Sequence, residues 1–248
     1  MPDIYGVTDI GCVRKHNEDW VHWQQLPEYP HVLAALADGM GGYSGGADAS
    51  QIAGQQFIRC VVDAMAQHSP VNNDDYASLL LQAGTDANKA VREARVANPQ
   101  HHKMGTTLLS MLLLEDNCWL LHAGDSRCYR SWKNHMQQMT RDHSLVQELV
   151  DKGSLSAKDA ERAPFRNMLT RAVGTEDDLH YSLARHPVHE GESWLLCSDG
   201  LYNAVPEPLI SEWLNSDLSA QDIALGLLQD SLKNEAQDNV SVIVLKIN

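Results

Sequence analysis

The stretch HVLAALADGMGG, residues 31–42, joins the pattern of a buried strand to a carboxylate. Its apolar run ends at Asp38, and Gly39 follows directly. A second stretch, WLLCSDGL at residues 194–201, ends in the same way at Asp199. A single Asp-Gly pair is the commonest signal for a hairpin turn. Two such endings, each after an apolar run, indicate instead that carboxylates gather at strand ends, where a layered scaffold presents its functional groups.

Outward from these two stretches, short apolar runs bounded by turn residues predict strands along the whole chain. Several of them are apolar almost throughout, which is typical of strands that are buried on both faces in stacked sheets. The runs are IYGVTDI, HVLAALAD, GTTLLSMLLLED, NCWLLHAGD, SRCYRSW, SWLLCSDG and NVSVIVLKI.

Two helical patterns lie between the second and third of these runs. Apolar residues recur at spacings of three and four, first around Phe57 and Val61 and then around Leu80 and Val91. We interpret both stripes as core packing against a sheet, without a chemical role.

A polar region, residues 142–167, follows the middle strands. It predicts a short helix that ends at Gly153 and a second one opened by a capping box from Ser156 to Asp159. We expect this segment to be a surface loop that moves.

Composition narrows the class of protein. The chain has 248 residues, enough for one large or two small domains, and no linker marks a boundary. Its net charge of −14 repels phosphate backbones and anionic bilayers, so nucleic acid and membranes are not expected partners. The five cysteines form no CxxC pair, and no leader or membrane-spanning run is visible, which favours a soluble protein of the reducing cytoplasm.

Further carboxylates stand at the edges of predicted strands. If Asp38, Asp199 and Asp238 converge, their charges cannot all persist within a few ångströms unless a cation neutralises them. A site of oxygen ligands without histidine or cysteine favours Mg²⁺ or Mn²⁺ over zinc. Glycine after Asp38 then has a reason, because without a Cβ the carbonyl of Gly39 can approach and serve as another ligand.

Eight motifs in order resemble those of the metal-dependent protein phosphatase family, the PPM or PP2C-type serine/threonine phosphatases. They extend from residue 14 to residue 246. The resemblance implies an α+β fold, a four-layer α-β-β-α sandwich with two central antiparallel sheets flanked by helices. It also implies a single catalytic domain over residues 1–248, with a mobile flap at about 145–166. The motifs are RKHNEDW, ALADGMGG, MGTTLL, HAGDSRCYR, TRDHS, NMLTRAVG, LLCSDGL and DNVSVIVLK.

The family's roles fall on particular residues of this chain. Asp38 would bridge two metal ions, with the Gly39 carbonyl on one ion and Asp199 and Asp238 on the other. Arg14 matches the arginine that binds the substrate phosphate, and its planar fork suits two phosphate oxygens.

The first motif's acidic pair, Glu18 and Asp19, would bind a metal ion or its coordinated waters. Bacterial members often hold a third ion, for which Asp125 and Asp199 are the matching positions. Many eukaryotic members carry a histidine where this chain has Met40, and methionine cannot donate a proton. The general acid is therefore unassigned, and a metal-coordinated water could serve.

The sequence thus predicts hydrolysis of phosphoserine and phosphothreonine in proteins by a metal-activated bridging water, with two and possibly three Mn²⁺ or Mg²⁺ ions. The expected partners are phosphorylated proteins, the targets of a serine/threonine kinase, and the expected state is a monomer. Two alternatives remain: a catalytically silent module that binds phosphoproteins or regulates, and another two-metal hydrolase such as a nuclease. The complete ligand set argues against the first, and the acidic charge argues against the second.

Overall fold

The computed structural model describes residues 2–26, 31–41, 45–67, 70–98, 100, 103–160 and 162–248. The strands are β1 Asp3–Asp9, β2 Asp19–Gln25, β3 Val32–Met40, β4 Gly105–Thr106, β5 Leu108–Leu113, β6 Asn117–Ala123, β7 Arg127–Trp132, β8 His135–Gln138, β9 Ser182–Pro187, β10 Ser193–Cys197 and β11 Val240–Lys246. The helices are α1 Gly45–Gln67, α2 Asn73–Ala97, α3 Leu145–Asp151, α4 Ala157–Ala160, α5 Asp199–Ala204, α6 Glu207–Leu214 and α7 Ala220–Lys233.

The strands form two antiparallel sheets. One sheet has the order β1-β11-β10-β7-β8, and the other has the order β2-β3-β5-β6-β9, with β4 paired to β3. A core of apolar side chains between the sheets includes Leu36, Leu109, Trp194 and Ile243. The predicted pair of central antiparallel sheets is confirmed.

Helices cover the outer face of each sheet. Phe57 of α1 and Leu80 of α2 pack with Leu33 on the outer face of one sheet, and Leu227 of α7 packs with Val242 on that of the other. The four-layer α-β-β-α sandwich is therefore confirmed.

Strand β3 is apolar throughout because both of its faces are covered. Successive side chains of a strand point to opposite faces. Leu33 and Ala35 belong to the core under the helices, whereas Ala34 and Leu36 belong to the core between the sheets. The burial of this strand on both faces agrees with the prediction made from its sequence.

The polar segment after β8 also folds as predicted. Ser144 caps α3, because its hydroxyl accepts from the backbone N–H of Gln147 at 3.3 Å. The helix stops before Gly153, which has a φ of 69°. The Ser156 hydroxyl accepts from the Asp159 N–H at 3.1 Å, as in a capping box. Residue 161 lies outside the described part of this segment.

The sequence patterns did not predict several elements of the structure, namely β2, β8, β9 and the three helices α5, α6 and α7. No helix within the described ranges is long and apolar enough to cross a membrane.

Candidate active site

The paired strands β2 and β3 place two carboxylates side by side. Asp19 and Asp38 are direct partners in the antiparallel register. The backbone of Asp38 is fixed by two threonines: its carbonyl accepts from Thr106 Oγ1 at 2.8 Å and from the Thr107 N–H at 2.9 Å. Its own N–H donates to Thr107 Oγ1 at 2.9 Å. Strand pairing and these bonds together hold Asp38 in one place.

The other sheet contributes Asp199 and Asp238. Asp199 opens α5, with one residue between it and the end of β10, and Asp238 stands just before β11, the antiparallel neighbour of β10. The chain approaches itself closely here, because a Cβ on Gly200 would lie 2.0 Å from the Asn239 carbonyl oxygen. Glycine after Asp199 is therefore required by packing, not by a hairpin turn.

Asp19 connects the two sheets. Its Oδ2 accepts from the hydroxyl of Ser198 at 2.8 Å and from that of Ser241 at 2.6 Å. Both serines are completely buried. A carboxylate of one sheet is thus held by hydroxyls of the other.

Asp125 follows β6 through a tight turn. Gly124 has a φ of 112°, a conformation that favours glycine. The Tyr202 hydroxyl donates to the Asp125 carbonyl at 3.1 Å, and the Arg127 guanidinium lies 3.8 Å from the centre of the Tyr202 ring. Arg127 in turn binds the buried carboxylate of Asp142 through its Nε and Nη2 atoms. The loop that carries Asp125 is thus supported by a buried polar network.

We call Asp19, Asp38, Asp125, Asp199 and Asp238 the carboxylate cluster. Burial raises the pKa of Asp19 to about 6, and the nearby charge of Asp238 adds to the rise. Burial and the charge of Asp142 raise the pKa of Asp125 to about 6.

The pKa values of Asp38 and Asp199 are raised still more strongly. Burial, followed by the charges of other cluster members, raises the pKa of each well above its usual range. The charges of Asp19, Asp38, Asp125 and Asp199 are therefore costly beside one another, which is the electrostatic situation that a bound cation relieves.

The donor atoms fit a hard cation. Two buried carboxylate oxygens, Asp19 Oδ1 and Asp199 Oδ1, have no hydrogen-bond partner. Within the described residues, however, no three Asp, Glu, His or Cys side chains converge on a point that could already hold a metal ion. The support for a metal site is thus the unpartnered oxygens, the mutual repulsion and the all-oxygen donor set, which suits Mg²⁺ or Mn²⁺.

Gly39 lies in a narrow cradle. A Cβ at this position would lie 2.1 Å from the Gly46 carbonyl oxygen and 2.6 Å from that of Glu18. The Gly39 N–H donates to the Glu18 carbonyl at 3.1 Å. The Glu18 side chain lies against Gly46 at the start of α1. Glycine is therefore necessary here for the close approach of β3, α1 and the chain before β2.

Arg14 lies at the rim of the cluster. Its Nη2 donates to Asp238 Oδ2 at 2.6 Å, and its side chain is 49% exposed. A half-exposed guanidinium beside buried carboxylates can reach an anion that arrives from solvent.

A cleft of about 940 Å³ opens on the Asp125 side of the cluster. Asp125, Asp199 and Asp238 line one part of it, and residues 144–167 contribute side chains from α3 and α4 to another. Asp19, Asp38 and Arg14 do not line this cleft. The predicted site residues are thus divided between the cleft and the adjacent end of the sandwich.

The buried cysteine next to the site is not equipped as a nucleophile. Cys197 is completely buried, and burial raises the pKa of its thiol far above neutral pH. The thiolate, which is the reactive form, is therefore disfavoured.

The sequence interpretation did not single out Ser198, Ser241 or Tyr202. Each stands within four residues of a predicted ligand in the sequence, so proximity along the chain was an available signal. Their contacts, however, cross from one strand or sheet to another and follow only from the fold.

Comparison with known proteins gives consistent results. The model of the family described as protein phosphatase 2C matches residues 13–235. The serine/threonine phosphatase Stp of Listeria innocua is 32% identical over 243 residues, which are 97% of this chain and 94% of that protein.

Two solved structures show the same fold. The serine/threonine phosphatase of S. agalactiae has a TM-score of 0.91 at 27% identity, with 100% of both chains covered. The catalytic domain of the serine threonine protein phosphatase PstP, solved in complex with two manganese ions, has a TM-score of 0.86 at 30% identity, with 100% of this chain and 99% of that chain covered. The chain therefore belongs to the protein phosphatase 2C family, as a serine/threonine protein phosphatase of the bacterial type.

Proposed function

We propose that the chain hydrolyses phosphoserine and phosphothreonine esters in proteins with the help of divalent ions bound by the carboxylate cluster. The observation that carries the proposal is the meeting of buried, mutually repelling carboxylates from both sheets beside Arg14. The manganese ions in the PstP structure support Mn²⁺, and the oxygen ligands also suit Mg²⁺.

We assign the ligands as the family resemblance implies. Asp38 would be a ligand shared by two ions, the Gly39 carbonyl would be a ligand of one of them, and Asp199 and Asp238 would be ligands of the other. The cradle around Gly39 and the unpartnered Asp199 Oδ1 support two of these assignments.

Three further acidic residues complete the assignment. Glu18 and Asp19 would hold an ion or its coordinated waters, and Asp125 and Asp199 would hold a third ion. The unpartnered Asp19 Oδ1 and the charge coupling between Asp125 and Asp199 support these roles.

When bound, the ions supply the Lewis acidity that makes water a nucleophile near neutral pH. The protein's own part is to bind and orient the substrate. Arg14 offers two N–H groups of one planar fork to two phosphoryl oxygens, which fixes the group for in-line attack. Met40 donates no proton, so the general acid is unassigned.

The whole chain, residues 1–248, acts in this proposal as a single catalytic domain with a flap at about 145–166. The flap assignment is supported by the position of α3 and α4 over the cleft that holds Asp125 and Asp199. Its two ends meet, because the Leu145 N–H donates to the Met168 carbonyl and the Thr170 N–H donates to the His143 carbonyl, both at 2.8 Å.

The substrates are phosphoproteins, in our proposal targets of a serine/threonine kinase. We further propose that the enzyme acts as a monomer in the cytoplasm. Its cysteines are free thiols, as a reducing compartment maintains them. Light scattering at micromolar concentration tests the monomer, since a dimer would double the measured mass.

The decisive experiment measures metal binding and turnover together. Asp38→Asn and Asp199→Asn should each lower turnover of a phosphothreonine peptide and of p-nitrophenyl phosphate by more than about 100-fold, because even residues that only support ligands cost 10–100-fold. Calorimetric titration with Mn²⁺ should show weaker binding in both variants. Asp63→Asn, an exposed change on α1, serves as the control and should behave as wild type.

Each other outcome has a definite meaning. Turnover that persists with a chelator, or in both cluster variants, would refute the metal mechanism. Wild-type protein that binds Mn²⁺ and phosphopeptide but hydrolyses neither substrate would identify the silent binding module instead.

A further inference from the structure

The loop that carries Arg14, residues 10–18, is fastened at its base by one buried side chain from another part of the chain. Asn239, the residue before β11, is 5% exposed. Its side-chain NH₂ donates to the carbonyls of Ile10 at 2.9 Å and His16 at 3.0 Å. Its Oδ1 accepts from the Glu18 N–H at 2.8 Å. One amide therefore holds both ends of the loop.

The chemistry of these contacts requires an amide. Two carbonyl oxygens need two N–H donors, and one backbone N–H needs an acceptor, and only asparagine or glutamine offers both. An aspartate at position 239 would place a carboxylate oxygen against two carbonyl oxygens. With Oδ1 and both N–H donors engaged, the side chain has one orientation that satisfies the site.

The position of the Arg14 side chain depends on the backbone of the loop. Gly11 has a φ of 76°, and the Cys12 N–H donates to the Ala236 carbonyl at 3.0 Å. The Arg14 side chain is half exposed and extends from the loop to Asp238. Because little protein surrounds the guanidinium, its position depends on where the loop places its Cα.

Asn239 is also hydrogen-bonded to a proposed metal ligand, Asp238. It follows Asp238 directly, and its own backbone N–H donates to Asp238 Oδ1 at 2.9 Å. This bond comes from the main chain and survives substitution of the side chain. The residue thus connects the Arg14 loop to a proposed ligand through separate groups, so the two connections can be tested apart.

We infer that Asn239 is the positioning residue of the phosphate-binding loop, setting Arg14 at the distance from the carboxylate cluster that a phosphoryl group requires. This inference rests on the proposed role of Arg14. It predicts that loss of the Asn239 amide weakens phosphate binding through Arg14, while metal binding is retained.

Four proteins test it in the presence of saturating Mn²⁺: wild type, Asn239→Ala, Arg14→Ala and the double variant. KM for a phosphothreonine peptide and the inhibition constant of inorganic phosphate should each rise about tenfold in Asn239→Ala, the scale of one charged hydrogen bond, with a smaller fall in kcat. In the Arg14→Ala background the same change should add little, because residues that act through one contact are not additive.

A matched control separates positioning from stability. Asn215→Ala also removes a half-buried asparagine with three side-chain hydrogen bonds, to Ser131 and to the carbonyl and hydroxyl of Ser211, and this residue caps the C-terminus of α6. In Asn215→Ala, KM for the phosphothreonine peptide and the inhibition constant of inorganic phosphate should remain at wild-type values. Hydrogen exchange of residues 10–18 should accelerate in Asn239→Ala and remain unchanged in Asn215→Ala.

The outcomes distinguish the inference from the proposed function. Additive effects of Asn239→Ala and Arg14→Ala, or an unchanged KM in a folded Asn239→Ala protein, would overturn the inference alone. An unchanged KM in Arg14→Ala would overturn both the inference and the proposed role of Arg14. If the alanine variant does not fold, Asn239→Ser, which is smaller but still polar, takes its place and must show the same pattern.

Discussion

At the scale of single residues, the two serine hydroxyls on Asp19 set the properties of the site. Burial raises the pKa of Asp19, and the hydrogen bonds from Ser241 and Ser198 work in the opposite direction. Because hydroxyl donors stabilise the ionised carboxylate, they favour the charged form of Asp19 that its proposed role as a metal ligand requires. They also fix its orientation, as partners of metal ligands generally do.

Ser241→Ala should therefore weaken Mn²⁺ binding by about tenfold, within the usual range for residues that support a ligand. The loss should be larger at pH 6 than at pH 8, since removing a donor raises the pKa of Asp19 further and protons compete with the ion. Calorimetric titration at the two pH values measures both effects. Ser231→Ala, a completely buried serine of α7 that bonds to the Leu228 carbonyl, is the control. Equal losses in the two variants would contradict this account.

The residues of the site could be predicted from the sequence only in part. Asp38 and Asp199 are recognisable because each ends an apolar run and precedes a glycine. The reason for glycine differs between them: Gly39 lies against α1, and Gly200 lies against the chain before β11. Contacts of this kind involve residues far apart in sequence, so no local pattern reveals them.

At the scale of elements, the packing of α1 on β2 determines how firmly Asp19 is held. Trp20 follows Asp19, and its ring covers Gly54 of α1. A Cβ at Gly54 would lie 2.1 Å from the ring atom Cε3 of Trp20. The helix and the strand can approach this closely only because position 54 has no side chain.

Gly54→Ala should destabilise the protein by about 1–3 kcal/mol, the usual cost of overpacking, even though alanine favours a helix over glycine by about 1 kcal/mol. Urea unfolding followed by circular dichroism measures the change. Gln55→Ala, an exposed change in the same helix, should leave the free energy of unfolding nearly unchanged. A stabilised Gly54→Ala protein would show that the Trp20 ring moves aside without cost.

Elements differed in how well the sequence revealed them. The run of β3 is buried on both faces and has no polar interruption, so its prediction needed only length and composition. The short strand β8, HMQQ, has too few apolar residues to be recognised. Helix α7 did carry a signal, since Ala220, Ile223, Ala224 and Leu227 have helical spacing, and the sequence interpretation overlooked it.

At the scale of the whole molecule, the carboxylate cluster makes stability depend on pH and metal. The folded pKa of Asp19 and of Asp125 is about 6, above the ordinary value of about 3.9 for aspartate. Between these values the folded state binds more protons than the unfolded state, so the contribution of these groups to stability falls as the pH rises through this window. At pH 7, above the pKa of about 6 of Asp19 and Asp125, these two carboxylates are ionised beside the other cluster members, and bound divalent ions would relieve the repulsion.

Excess Mn²⁺ at pH 7 should therefore raise Tm by about 5–10 °C over a chelated sample, because a ligand at 100 times its Kd stabilises by about 2.7 kcal/mol. The rise should be smaller at pH 5, where protons occupy the carboxylates. Differential scanning calorimetry of wild type at both pH values, with Asp38→Asn as the variant that lacks one proposed ligand, measures the shifts. An identical rise at pH 5 and pH 7 would argue against binding at the cluster.

The segment over the cleft leaves and rejoins the sandwich at almost one point, through the bonds of Leu145 to Met168 and of Thr170 to His143. A segment whose two ends lie close together can lengthen, shorten or change its residues while the strands beneath it keep their register. The surface that contacts a target can thus change in evolution as one unit, while the residues that carry out hydrolysis stay the same. One scaffold of this kind can serve many phosphorylated targets in different cells.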